Sequence, residues 1–164
     1  MTEFHDHPGR QNLDAMTAVS AENVLGLPVR LRGIQLGKSV DIVLDRACRR
    51  VLGFEVRCGD EERRFLPLSV ATVGRDDVQV GSPLVLIDEG ELRFYTRGGC
   101  TFRVLRGTDV VRRGVAAGRL RDFAFERDGT ITSVTIETAT GTDRVAFDAH
   151  LELTAPRPRL GAAS

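Results

Sequence analysis

The chain has 164 residues, 41% of them hydrophobic and 28% charged, the balance of a folded globular protein and not of a disordered one. Lys plus Arg number 23 against 23 Asp plus Glu, so no long-range field draws the whole molecule to nucleic acid or an anionic membrane, and any such binding is local. Aromatics are 5%, with one Tyr and no Trp, so the stacking platforms of single-strand nucleic-acid binders are mostly missing.

Residues 1–19 read as a loose tail. His5, Asp6, His7 and Pro8 stand where a signal peptide needs an uninterrupted apolar stretch, and no later run reaches the length of a membrane span. The expected location is therefore cytoplasmic, with no membrane span. His5-Asp6-His7 carries donors suited to zinc or nickel, but the tail offers no third ligand, and no metal site is assigned. Cys48, Cys58 and Cys100 form no C-x-x-C pair, and their odd number argues for a reducing compartment. All three are read as small apolar fillers.

The first folded unit is expected over 20–83. Ser20 is a good N-cap for a single turn ending near Gly26. Gly33 and Gly37 bracket the entry to a strand in which Val40, Ile42 and Leu44 alternate with Asp41 and Asp45, a period of two with one buried face. Leu52, Phe54 and Val56 continue the alternation, and Gly74 to Asp77 reads as a turn before a closing strand over 78–80. A connector over 84–103 has two readings: a short helix from Glu89 to Arg97 with Leu92 and Tyr95 on one face, stopped by Gly98-Gly99, or a hairpin turning at 88–91 between strands 84–87 and 92–95.

The second unit, 104–155, repeats the first. A shift of 81 positions lays Gly26, Val29, Arg32, Gly33, Gly37, Asp41 and Arg46 on Gly107, Val110, Arg113, Gly114, Gly118, Asp122 and Arg127. Phe123 and Phe125 take the places of Ile42 and Leu44. After a one-residue deletion, Phe54, Val56, Arg64 and Phe65 meet Val134, Ile136, Arg144 and Val145, with 127–130 as the intervening turn. Pro156 and Pro158 stand where the first unit has its closing strand, and proline donates nothing to a ladder. The second unit is thus expected to be degenerate at its C-terminal strand, leaving an open edge or one filled by the connector. Residues 156–164 read as a second tail. The predicted fold class is all-β with at most short helical turns.

The stretch Leu25-Gly26-Leu27-Pro28-Val29, then Gly37 and Val40 to Asp45, resembles the opening of the PRC-barrel family, and Arg64 to Leu68 followed by Val73-Gly74-Arg75-Asp76 is similar to how that module ends. The resemblance implies two tandem small PRC-type β-barrels. It also implies a docking role, since the module occurs in the H subunit of the photosynthetic reaction centre and in a ribosome maturation factor. It brings no catalytic motif.

No residue set points to catalysis or to a cofactor. His150 stands alone and is read as a polar strand residue. Asp41 and Asp122 are equivalent acidic residues on the polar face of an early strand, where exposure or pairing with an arginine is the ordinary outcome. Arg46, Arg49, Arg50, Arg63, Arg64, Arg112, Arg113, Arg119 and Arg121 form the clusters available for interaction. The leading expectation is a non-catalytic protein-docking or adaptor module, with self-association through strand edges as one outcome. The alternative is an RNA- or ribosome-associated maturation factor that binds phosphates through these arginines.

Overall fold

The computed structural model describes residues 18–98 and 100–155. The His5-Asp6-His7 stretch and the prolines at 156 and 158 lie outside the described residues. The fold is all-β, in two sheets, one of them a half-barrel, with only short helices.

The first sheet is an antiparallel meander of β2 (Pro28–Leu31), β3 (Ile34–Leu44), β4 (Val51–Cys58) and β5 (Arg63–Pro67). It is extended beyond β2 by the hairpin of β6 (Ala71–Val73) and β7 (Val78–Val80), with β7 parallel to β2. The second is the meander of β9 (Asp109–Arg112), β10 (Val115–Phe125), β11 (Ile131–Thr138) and β12 (Gly141–Ala146). Its β9 edge is filled by β13 (Leu151–Leu153), which runs antiparallel. The strand beside β9 thus comes from upstream of the prolines and not from the connector, because the four residues 147–150 turn the chain straight back, Leu151 N donating to Asp148 O.

Both meanders open on a two-residue turn with positive φ at each position, Arg32 (49°) with Gly33 (84°) and Arg113 (50°) with Gly114 (81°). That is the primed turn whose twist matches a hairpin, and the second position favours glycine. The long strands β3 and β10 are irregular at matching places, between Ser39 and Asp41 and between Leu120 and Asp122, then between Val43 and Leu44 and between Ala124 and Phe125. Each bulge swings a strand that starts exposed so that its far end is buried.

Two short segments cross between the sheets. β1 (Val19–Ser20) and helix α1 (Ala21–Val24) precede β2 in sequence, yet β1 pairs with β10, Val19 lying opposite Phe125. Likewise β8 (Cys100–Thr101), followed by helix α3 (Phe102–Leu105), pairs with β3, Thr101 lying opposite Val43. Val19, read from the sequence as tail, is therefore a strand residue. The remaining helix, α2 (Glu89–Gly98), settles the connector in favour of the helical reading. Asp88 caps it through Glu91 N, and a Glu89–Arg93 pair adds i,i+4 support. Leu92 is buried on Val43 and Phe65; the Tyr95 side chain is outside the described set.

The core is continuous across both sheets. Ile42, Leu44, Phe123 and Phe125 are all buried, and they belong to one cluster with Phe54, Phe102 and Leu105. The Phe54 and Phe125 rings lie 6.4 Å apart, and Phe102 meets Phe123 edge-on at 5.2 Å.

Candidate docking edges and the contacts between the halves

The crossing segments explain the two equivalent carboxylates. Asp41, only 6% exposed, accepts from Ile42 N, freed by the bulge, and from Arg103 N at the start of α3. Asp122 does the same in reverse, accepting from Phe123 N and from Glu22 N and Ser20 Oγ at the start of α1. The expectation of exposure or arginine pairing is corrected: each carboxylate satisfies backbone donors in its own strand and in the other half's crossing segment.

The loops after β3 and β10 carry the remaining ties. Asp45 Oδ1 accepts from Arg49 N and Arg50 N, holding a loop from which Arg49 donates to the carbonyls of Leu151 (2.8 Å) and Asp148 (2.7 Å). Its guanidinium stacks on the Phe147 ring at 4.3 Å. Arg50 donates to Asp128 O and forms a bridge with Thr130. In the same loop Cys48 is joined to Cys100 as a disulfide, their Cα atoms 6.3 Å apart across a sequence separation of 52. These two cysteines are therefore a cross-link and not apolar fillers, which removes the spacing argument for a reducing compartment. Pairing of β8 with β3 brings them together, and no short motif records that. Cys58 is free and buried, and burial raises its thiol pKa, keeping it protonated and unreactive at neutral pH.

Most of the named arginines are committed to the protein itself. Arg63 pairs with Glu55, Arg64 with Asp60 and Glu62, Arg112 with Asp148, and Arg121 with Glu137. The Asp60 carboxyl is held below its ordinary range by the Glu62 backbone N–H and by Arg64. Arg46, Arg113 and Arg119 are exposed and form no ion pair among the described residues. His150 lies in the turn before β13 and not in a strand; its carbonyl accepts from Arg113 N.

The sheet edges differ in how they are covered. Phe65 in β5 exchanges two backbone hydrogen bonds with Ile87, at 2.9 and 2.8 Å, before α2 packs over it. The β4–β5 hairpin closes through residues 59–62, whereas the β11–β12 hairpin closes through 139–140, so Glu55 lies opposite Phe65 but Thr135 lies opposite Arg144. Arg144 therefore occupies the place of Phe65, one residue away from the correspondence read in the sequence. Phe147 N donates to Thr132 O, and ladder alternation then turns the backbone groups of Thr142, Arg144 and Ala146 outward. No described strand pairs with that edge. Neither Arg63–Pro67 nor Gly141–Ala146 alternates polar with apolar residues, so no sequence period determines which groups each strand presents at its edge.

No protein-family model matches this sequence, and no curated protein matches it. No helix among the described residues is long and apolar enough to cross a membrane.

Proposed function

We propose that this chain is a non-catalytic docking module, built from two copies of a PRC-barrel-like unit, that accepts an extended segment of a partner protein along the outer edge of β12. The observation that supports the reading is the contrast at equivalent strands: the β5 edge is paired by Ile87 of the same chain, while the N–H and C=O groups of Thr142, Arg144 and Ala146 face outward with no described strand against them. Addition of a strand to such an edge supplies main-chain hydrogen bonds, with specificity set by alternate side chains. Phosphate recognition has less behind it, since Arg49, Arg50, Arg63, Arg64, Arg112 and Arg121 already engage acceptors of the protein.

The test is affinity capture from the source cells with the wild type and with Arg144→Pro, which removes one outward N–H at an edge position where proline is tolerated. Partners held by the wild type and lost from the variant, with unchanged thermal unfolding, support the reading. An identical set of partners for both proteins, or none with a monomeric wild type, rejects it.

A further inference from the structure

The loops over 45–50 and 126–130 are built alike. Cys48 N donates to Asp45 O and Gly129 N to Glu126 O, at 3.0 and 2.9 Å, and both donors have positive φ. Asp45 N then donates to Arg50 O, and Glu126 N to Thr130 O, each at 2.9 Å. Matching these bonds pairs Cys48 with Gly129 and Arg50 with Thr130, so the residue that the second loop lacks is the counterpart of Arg49. At the first junction Arg49 fills the space between the halves, its planar fork spent on two carbonyls and an aromatic face. At the second junction no described residue stands in that place, and a cavity of about 190 Å³ is present among the described residues, lined by Leu68, Ala71, Thr72, Val73, Phe125 and Glu126 among others. A water molecule takes up roughly 30 Å³ of liquid, so the space suits a group of several heavy atoms.

The walls match what a guanidinium needs. Gly74 N bonds Asp77 O to close the β6–β7 turn, so alternation directs the backbone groups of Ala71 and Val73 away from β7, along an edge that no described strand covers. The Ala71 N–H is taken by Leu68 O, which leaves the Ala71 and Val73 carbonyls as acceptors and the Val73 N–H as a donor. Glu126 adds a carboxylate that forms no ion pair among the described residues, and Phe125 and Leu68 supply apolar surface. Arg127, the repeat counterpart of Arg46, also lines the cavity, and its charge opposes a bound cation, which Glu126 and the carbonyl acceptors have to outweigh.

We propose that this cavity binds the guanidinium of an arginine side chain carried on an extended segment of a partner protein, taking from outside the group that Arg49 supplies at the other junction. The site lies away from the β12 edge and stands on its own geometry, so either reading survives failure of the other.

The test uses NMR titration of the full chain with capped arginine, capped citrulline as the neutral isostere, and a five-residue Ala-Ala-Arg-Ala-Ala peptide. Capped arginine is expected to shift the amides of Thr72, Val73 and Glu126 and to bind about tenfold tighter than citrulline, the difference made by charge-assisted hydrogen bonds. The peptide is expected to bind about fivefold tighter still, through pairing along the β6 edge. Inserting an arginine between Gly129 and Thr130 fills the cavity from within and is expected to abolish the shifts, while Glu126→Gln, an exposed replacement that keeps the fold, weakens binding about tenfold. Equal response to citrulline, or unchanged binding in both the insertion and the Glu126→Gln protein, overturns the site. A peptide no tighter than capped arginine overturns the assignment to a protein partner in favour of a small guanidinium ligand.

Discussion

The outer faces of the two sheets are built on the same strands and end in opposite states. Over β3 to β5, Val43, Phe65 and Leu52 make a second apolar cluster that Leu92 of α2 closes. Over β10 to β12, the corresponding positions hold Ala124, Arg144 and Thr132, and Arg144 bonds Ser133 Oγ where the first half has Gly53. One residue fewer between facing positions of the second hairpin moves β12 by one place relative to the ungapped repeat, so that Arg144 faces outward and Val145 inward. The apolar side chain that lies outward as Phe65 in one sheet has no counterpart outside in the other, where Val145 turns to the main core. Hairpin length decides which residue of the last strand faces outward, and the exchange of Val43 and Leu52 for Ala124 and Thr132 decides whether that face needs a cover.

The contrast is broken most severely at Phe65. Phe65→Ala opens a cavity beneath α2 and is expected to cost about 3–5 kcal/mol in denaturant unfolding, whereas Arg144→Ala at the matching place is expected to stay within about 0.5 kcal/mol. Similar losses in both variants would mean that the second face is covered too. Next in size is the covalent tie between Cys48 and Cys100. Cys100→Ser is expected to lower stability by about 2–4 kcal/mol under oxidising conditions, and saturating reductant should bring the wild type close to the variant. Arg49→Ala removes a charged donor from the carbonyls of Asp148 and Leu151 and the stacking on Phe147, and should cost about 1–3 kcal/mol, while Thr130→Ala in the second loop should be nearly silent.

The smallest effect is acidic. The Asp128 carboxyl is held below its ordinary value first by the Thr130 backbone N–H, and that of Asp148 first by the His150 N–H. A depressed folded-state pKa contributes stability that is complete above the unfolded value of about 3.9 and is lost as pH falls through the folded one. Thermal unfolding should therefore weaken slightly below about pH 4, and Asp128→Asn with Asp148→Asn should flatten that decline.

Much of the strand pattern could be read directly from the residues. Ile42 with Leu44, Phe54 with Val56 and Phe123 with Phe125 recur at a period of two because they line the main core. On β3 and β4 the other face is buried too, under α2, and Leu52 packs there and not beside Phe54. Arg-Gly at 32–33 and 113–114 marks the turns. What was hidden is contact between residues distant in the chain. Asp41 reads as an exposed strand carboxylate because its donor, Arg103 N, arrives from 62 residues away. Cys48 and Cys100 are brought together only by the pairing of β8 with β3, and the place of Phe65 depends on a hairpin length that similarity scoring absorbs as a gap. The cavity beside Glu126 follows from one missing loop residue, visible in the sequence as a deletion but without meaning until Arg49 is seen filling its counterpart.

The crossing of β1 and β8 has a consequence for biogenesis. A nascent chain emerging from the ribosome cannot complete its first sheet until Cys100 and Thr101 have been synthesised, and Val19 must wait for Phe125 before it finds a neighbour. Closure over such spans favours slow, late consolidation, and severing the polypeptide between the halves would leave two fragments each short of a strand that the other carries.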